Sequence, residues 1–456
     1  MSIDFLFKVF EQNAAKSAIV WRKQTFSYEW LSNRINYWLN VIGFEKIQPG
    51  TVTLIEGDFS PNAIALFLAL AHHQCILVPL TTASMKKKSE FSEIAQGQVV
   101  FKIGQDDTVK IEGLSYAADY EFYQTLRNLK HPGLVLFSSG STGKSKATIH
   151  DLNKIFAKYH TPKRALRTIT FLLYDHIGGV NTMLHTLANG GCVVTVEARN
   201  PDEVLNAIET YQVELLPTSP TFLNLILISE AYKRHDLSSL KTISYGTEPM
   251  PIHTLTRLNH LFPDLRLAQT YGLSEVGILS SKSKDSNSLW FKLQGEDFET
   301  RIVDGILHVK SQTTMLGYLN APSPVTEDGW FNTGDAVEVD GDYVKVLGRK
   351  SEIINVGGEK VYPAEVENVI QMLDNVAEVT VYGEDNPITG KIVCTIVTLM
   401  NPEDPKQFSR RLQQYCRGQL QAYKVPLKVK VIDEKQYSER FKKIKPQLLP
   451  LSGTNN

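Results

Sequence analysis

The 456-residue sequence predicts an α/β protein: a large N-terminal domain of helix-covered, mostly parallel sheets (residues 1–348) that ends in a small β subdomain (about 298–348), and then a small, compact α+β domain (349–456). Helix-period stretches alternate with short β-branched runs through most of the chain, the layering that helix-covered parallel sheets require. The turn dipeptides Asp304-Gly305, Asp328-Gly329 and Asp340-Gly341 then mark hairpins in close succession. Beyond Gly348 a fresh alternation begins, helical over Ala364–Leu373 and strand-like over Glu378–Tyr382 and Ile392–Leu399. The chain is also too long for one ordinary core.

Taken in order, Tyr28–Ile42 and Pro61–His72 have helical periodicity, and Thr51–Ile55 and Cys75–Val78 read as strands. The apolar run Ala63–Ala71 is about half of what a membrane-spanning helix needs and reads as buried helix. Lys86, Lys87 and Lys88 read as a solvated helix face. After the polar segment Gln105–Asp107, Gly133–Phe137 reads as a buried strand, and Thr168–Leu173, Cys192–Glu197, Val213–Pro217 and Thr242–Tyr245 continue the series.

Composition narrows the function. With 42% hydrophobic and 21% charged residues the chain falls in the globular range. Its net charge of −1 offers no long-range field toward nucleic acid or an anionic membrane, so a bound anion must be held by local groups. The four cysteines, Cys75, Cys192, Cys394 and Cys416, are far apart in sequence, without a CxxC pair or metal-ligand spacing. No zinc site or disulfide framework is expected, and a reducing cytoplasm fits. The start MSIDFLFKVFEQ carries charge within its apolar stretch and does not read as a signal peptide.

The chemistry begins where the Gly133–Phe137 strand empties into SSGSTGKSK. Ser138, Ser139, Gly140, Ser141, Thr142, Gly143 and Lys146 combine backbone N–H groups, hydroxyls and positive charge, which is what a polyphosphate needs. A Gly-Ser pair alone would be a surface turn; the unbroken run points to phosphate. It is not a Walker A loop, because Ser138 stands where that motif needs Gly.

SSGSTGKSKA resembles the phosphate loop [ST]SG[ST]TGxPKG of the adenylate-forming superfamily of acyl-CoA synthetases, nonribosomal adenylation domains and luciferases, with Ser145 for Pro and Ala147 for Gly. Further segments resemble that superfamily's motifs in its order: YGTEP (Tyr245–Pro249), QTYGLSEVG (Gln269–Gly277), FNTGD (Phe331–Asp335) and GRKSEIINVGGEKVYPAEVE from Gly348. The resemblance implies roles. Gly246, Thr247 and Glu248 would contact adenine and the acyl pocket through backbone; Tyr271, with Gly272 and Ser274 in its segment, would stack on adenine; Glu275 would hold Mg²⁺. Asp335 would accept both ribose hydroxyls and Arg349 would reach ribose or phosphate. Ser351 would serve as hinge, and Gly357 and Gly358 would admit a thiol-bearing arm.

In the same way DHIGG (Asp175–Gly179) resembles the gate beside the acyl pocket, with His176 at the gate. Amino-acid-activating relatives use an acidic residue for the substrate amine, which brings Asp175 into view, although its context resembles acyl and aryl acid ligases more closely. Near the end, YSERFKKIKP resembles the GKI context of the lysine that bridges carboxylate and α-phosphate: Lys443 precedes Ile444, Lys442 stands at the usual Gly, and Lys442 is the competing candidate.

The resemblance implies an ATP- and Mg²⁺-dependent acid–thiol ligase: a small carboxylic acid forms an acyl-adenylate, and CoA or the phosphopantetheine of a separate acyl carrier protein then takes the acyl group. No nucleic-acid partner and no membrane span are expected. Two other readings stay open, an adenylating enzyme with a non-thiol acceptor and a nucleotide-binding protein that has lost catalysis. The sequence leaves the acid unidentified.

Overall fold

The structure, a computed structural model, describes residues 3–139 and 145–444. The N-terminal part carries two seven-stranded sheets. In one, Arg266–Gln269, Thr242–Tyr245, Leu215–Thr218, Arg167–Ile169, Cys192–Val194 and Ser17–Trp21 pair in parallel, and Gln24–Ser27 closes the edge as an antiparallel hairpin. In the other, Gly133–Ser139, Ile76–Leu80, Val52–Glu56 and Val99–Ile103 run parallel at the centre. Val109–Gly113 flanks them on one side and Ser145–Asp151 with Gly317–Tyr318 on the other, all antiparallel. The expected parallel sheets are thus present with antiparallel margins.

Helix Pro61–His72 shows how local and tertiary preferences agree. Ser60 accepts a hydrogen bond from the Ala63 N–H, proline occupies the first turn, and Pro61–Ala71 is buried all round. A helix apolar on every side must lie between layers. Here that layer lies within a core that spans both sheets, from Leu6 and Phe10 through Ile35 to Val193. Among the described residues no helix is long and apolar enough to cross a membrane.

The β subdomain is a six-stranded antiparallel sheet ordered Ser281–Ser283, Phe291–Leu293, Tyr343–Arg349, Phe331–Asp340, Ile306–Ser311 and Phe298–Val303. It begins at Ser281, ahead of the expected start near 298, because the three-residue strands Ser281–Ser283 and Phe291–Leu293 are too short to show alternation. After Arg349 a separate sheet forms from Glu359–Val361, Ile354–Val356, Gly390–Leu399, Val376–Asn386 and Lys428–Ile432. Helices Pro363–Ile370 and Pro405–Gln419 cover it. Its core, which includes Val366, Val397, Phe408 and Leu412, draws only on residues 354–431.

Candidate active site

A cleft of about 2080 Å³ lies where these units meet. Thr218, Ser244 and Gln269, at the carboxyl ends of parallel strands, form its floor, where open α/β sheets place ligands. Ser138 and Lys146 approach from the other sheet, Thr333 and Gly334 from the β subdomain, and Arg440, Lys442 and Lys443 from the C-terminal loop. Gly246 has little room for a side chain, since a Cβ there would lie 2.8 Å from the Thr270 carbonyl oxygen. Thr247 lines the cleft with φ of 77°, a conformation uncommon for a β-branched residue.

The segment expected to hold phosphate lies between two antiparallel strands, Gly133–Ser139 and Ser145–Asp151, and not between a strand and a helix. Its flanks pair Ser138 with Lys146 and Ser139 with Ser145, and Gly140, Ser141, Thr142 and Gly143 lie outside the described residues. Asn320 fastens the returning strand, accepting from the Ala147 N–H at 3.0 Å and donating to the Ser145 carbonyl at 2.9 Å. Lys146 Nζ lies 5.0 Å above the Tyr318 ring, and the Tyr318 hydroxyl donates to Glu275 Oε1 at 2.6 Å. Among the described residues no group of three or more His, Cys, Asp and Glu side chains could hold a metal. Glu275 lines the cleft, and Oε2 has no described hydrogen bond. One hard carboxylate oxygen beside a polyphosphate suits Mg²⁺, which takes most of its ligands from phosphate and water.

Asp335 stands at the centre of the wall expected to face the nucleotide. Only 6% exposed, it accepts from the Tyr271 hydroxyl at 2.6 Å and the Arg349 guanidinium at 2.8 Å. Strand pairing sets Asp335 opposite Arg349, whose second nitrogen donates to the Thr333 carbonyl at 2.8 Å. Burial raises the Asp335 carboxyl above its ordinary range against the opposing pull of Arg349. Each carboxylate oxygen accepts one bond from these partners and retains lone-pair capacity. Tyr271 departs from the stacking expectation: its ring is buried beside Phe291, centroids 5.9 Å apart, and Thr270 and Gly272 line the cleft in its place. The reason is the hydroxyl, which turns inward to the buried carboxylate.

The C-terminal loop also departs from expectation. Lys443 Nζ turns out to Glu367 Oε2 at 2.5 Å, whereas Lys442 Nζ reaches 3.3 Å from His176 Nε2. Phe441 has φ of 52°, the left-handed conformation for which glycine is the default residue. Phe441-Lys442 therefore occupies the Gly-Lys geometry, one residue ahead of the frame that Ile444 suggests. A turn holds the loop, with the Phe441 N–H donating to the Ser438 carbonyl and the Ser438 N–H to the Lys442 carbonyl.

Three contacts dock this loop on the large domain. Arg440 donates to Asp175 Oδ2 at 2.8 Å. Phe441 packs 5.2 Å from both Phe171 and Phe222. Glu248 accepts from the Lys443 backbone N–H at 3.1 Å while its other oxygen takes the Thr221 N–H. Glu248, expected to act through its backbone, thus acts through its side chain. Asp175 is 2% exposed and also accepts from Thr81 at 2.7 Å. With Oδ2 so engaged, Asp175 serves the loop in this arrangement.

His176 caps helix Ile177–Ala188, its Nδ1 accepting from the Gly178 N–H at 3.2 Å. Burial, then Lys442 and Arg440, hold the imidazole well below its usual pKa, so the ring is neutral with its proton on Nε2. Burial likewise pushes Lys442 down to about 8, with Arg440 pushing the same way and Glu248 and Glu275 opposing. Below that pH an N–H and an ammonium face each other across 3.3 Å, an arrangement that calls for an anionic oxygen between them.

The remaining expected residues divide. Ser274 lines the cleft while its carbonyl accepts from His150 at 2.7 Å. Gly357 and Gly358, with φ of 59° and 93°, form an exposed turn between Ile354–Val356 and Glu359–Val361 and do not line the cleft. Their glycines meet the backbone demand of the tight turn. Sequence reasoning gave no role to Asn320, Tyr318, Arg440 or Phe441; the first two stand outside the motif segments, and the last two lie inside YSERFKKIKP beside the lysines.

A large domain of layered sheets and a small C-terminal domain that share a cleft have the architecture of an adenylate-forming enzyme. The chain belongs to the AMP-binding enzyme family: residues 6–319 match the AMP-binding enzyme pattern and 365–442 its C-terminal domain. It is 28% identical over 448 residues to a feruloyl-CoA synthase of Amycolatopsis sp., covering 89% of this chain and 90% of that one. It is 28% identical over 331 residues to an indoleacetate–CoA ligase of Aromatoleum aromaticum, covering 66% of this chain and 64% of that protein. A crystal structure of an anthranilate CoA ligase with anthranoyl-AMP shares the fold, with a TM-score of 0.80 and 18% identity over 96% of this chain and 95% of that one.

Proposed function

We propose that the protein activates a carboxylic acid with ATP and passes the acyl group to a thiol, that of CoA or of a carrier protein's pantetheine. The observation that carries this reading is the meeting of Lys442 Nζ and His176 Nε2, 3.3 Å apart on the cleft wall, which brings a cation from the C-terminal loop to a neutral imidazole of the large domain. A carboxylate approaching an α-phosphate supplies anionic oxygens at such a point. The family membership and the CoA-ligase relatives support a thiol acceptor.

In the first step a carboxylate oxygen attacks the α-phosphorus, the bond from that phosphorus to the bridging oxygen breaks, and pyrophosphate leaves. Lys442 neutralises charge on the reacting oxygens and His176 orients the carboxylate, while Lys146 and the hydroxyls around Ser138 hold the polyphosphate. Asp335 and Arg349 hold the ribose, with Gly246, Thr247, Thr270 and Gly272 around the adenine. Mg²⁺, when bound at Glu275, neutralises further phosphate charge. In the second step the thiol sulfur attacks the acyl carbon, AMP leaves, and the thiol proton passes to solvent. For that step the C-terminal domain withdraws Lys442 and brings Gly357 and Gly358 toward the adenylate, turning near Ser351.

The test is acid-dependent ATP–pyrophosphate exchange over a panel of fatty, aryl, hydroxy and amino acids, followed by AMP release on adding CoA. Exchange with one acid class and thiol-dependent turnover are expected. Absence of exchange across the panel, in folded protein that binds ATP, overturns the reading.

A further inference from the structure

Helix Ile177–Ala188 runs away from His176 with Gly178, Asn181, Thr182, His185 and Thr186 on the cleft wall. That spacing is one helical face. At 1.5 Å per residue, Asn181 and His185 lie roughly 7 Å and 13 Å along the axis from His176. They therefore flank the part of the cleft remote from the reacting carboxylate.

This remote part holds polar groups that have no hydrogen-bond partner among the described residues. Asn181 Oδ1 accepts from the Lys158 ammonium and, at 3.0 Å, from the Tyr159 hydroxyl. Lys158 has no acceptor capacity, so the amide oxygen must face it, leaving Asn181 Nδ2 as a donor with no described partner. Both ring nitrogens of His185 likewise have no described hydrogen bond, and the ring packs edge-on to Tyr159. Burial, then Lys163 and Lys158, push His185 down to about 4, so it presents one N–H and one lone pair at neutral pH. Lys158 itself donates to the Ile278 carbonyl at 3.2 Å and has no described carboxylate partner, although Asp297 contributes a favourable field. A cation held from water by burial without a described counter-ion is costly, and donors on the cleft wall become costly once a bound acyl group displaces the water that reaches them. A purely hydrocarbon acyl chain would leave both costs standing.

We propose that the acid carries, remote from its reacting carboxylate, an acceptor oxygen of a second carboxylate or of a phenol, received by Asn181 Nδ2 and His185 with Lys158 behind them. This rests on the acid-activation reading above. Two matched comparisons test it: 3-(4-hydroxyphenyl)propenoic against 3-phenylpropenoic acid, and a dicarboxylic acid against the monocarboxylic acid of equal length. Each is measured by ATP–pyrophosphate exchange and by equilibrium binding of the corresponding unreactive acyl-sulfamoyl adenosines.

At least one oxygen-bearing member should be preferred by about 100-fold or more in kcat/KM, within the roughly 10⁴–10⁵-fold by which a site built to hydrogen-bond a substrate group rejects the analogue lacking it. Asn181→Leu should narrow that ratio to within a few-fold, chiefly through loss with the oxygen-bearing acid, and His185→Leu should narrow it less. Lys158→Met should weaken the dicarboxylate more than the phenol, which separates the two sources. Equal use of the members of both pairs by the wild type, or an unchanged ratio in both Asn181→Leu and His185→Leu, overturns the proposal. If one variant fails to fold, the wild-type ratio and the other variant decide. Tighter binding of oxygen-bearing sulfamates without exchange on any acid would sink acid activation and leave the pocket inference standing.

Discussion

The nucleotide-facing wall and the loop that carries Lys442 reach the same cleft by opposite means. Asp335 and Arg349 are cross-strand neighbours in one antiparallel sheet, and Tyr271 closes on the same carboxylate. Their geometry exists as soon as that subdomain folds. The loop over Ser438–Ile444 depends on a docking event: Arg440 must find Asp175, Phe441 must lie beside Phe171 and Phe222, and Glu248 must accept from the Lys443 N–H. Preformed geometry suits a nucleotide bound through both steps, and a dockable loop suits a lysine needed in only one. Damage to the wall should therefore affect stability and both half-reactions, whereas damage to the loop should affect adenylation alone.

The sharpest test of that contrast is Lys442→Ala beside Lys443→Ala. The first should lower acid-dependent pyrophosphate exchange by about 10²–10³-fold, the usual cost of removing a preorganised stabiliser of developing charge, and spare thiolysis of supplied acyl-adenylate. The second removes an exposed contact with Glu367 and should change exchange by less than about threefold. Equal losses would break the assignment of Lys442.

On the wall, Asp335→Ala strips Arg349 and Tyr271 of their shared acceptor. Chemical denaturation should show a loss of about 1–3 kcal/mol, and ATP should bind at least tenfold more weakly. A stable variant with normal ATP affinity would mean that the wall is not preformed by this residue.

Arg440→Ala leaves Asp175 buried with Thr81 as its described donor. Adenylation should fall by about tenfold, thiolysis of supplied adenylate should hold, and Arg440→Lys should restore part of the loss. Equal damage to both half-reactions would mark the pair as structural and not as part of a dock.

Proton release from the Lys442 ammonium gives a pH signature. Its charge is present below about 8 and lost above it, so kcat/KM for adenylation should decline by up to tenfold per pH unit on that alkaline side. His176 stays neutral through ordinary pH and adds no limb near 6.5. A profile flat to pH 10 would remove the ammonium from the rate-determining protonation state. The smallest effect is expected for Phe441→Gly, where relief of the left-handed backbone offsets lost ring contacts to within about 1 kcal/mol in unfolding.

Much of the wall was legible in the motifs because its residues are close in sequence or held by a single strand pairing. Gly334-Asp335 and Arg349 keep fixed places in one hairpin, and Ser138 and Lys146 stand opposite each other where two strands meet. The inward turn of the Tyr271 hydroxyl was not legible, because a motif places a residue on a strand but does not say whether a buried carboxylate will draw its hydroxyl inward. The sequence left Lys443 and Lys442 as competing candidates because neighbouring lysines differ only in direction. The signal that would have helped, a residue at positive φ ahead of the functional lysine, is hidden when that residue is Phe441 and not Gly.

By itself the sequence determined the layered α/β architecture, the hairpin subdomain, the separate C-terminal unit and the order of the nucleotide-binding motifs, since these follow from local periodicity, turn chemistry and short-range spacing. Only the tertiary structure decided which lysine reaches His176, that Asp175 and Glu248 receive the loop, and that Asn181 and His185 leave donors on the remote wall. Those outcomes depend on where charges far apart in the chain become neighbours and are shielded from water together, and side-chain direction under such shielding is a property of the packed whole.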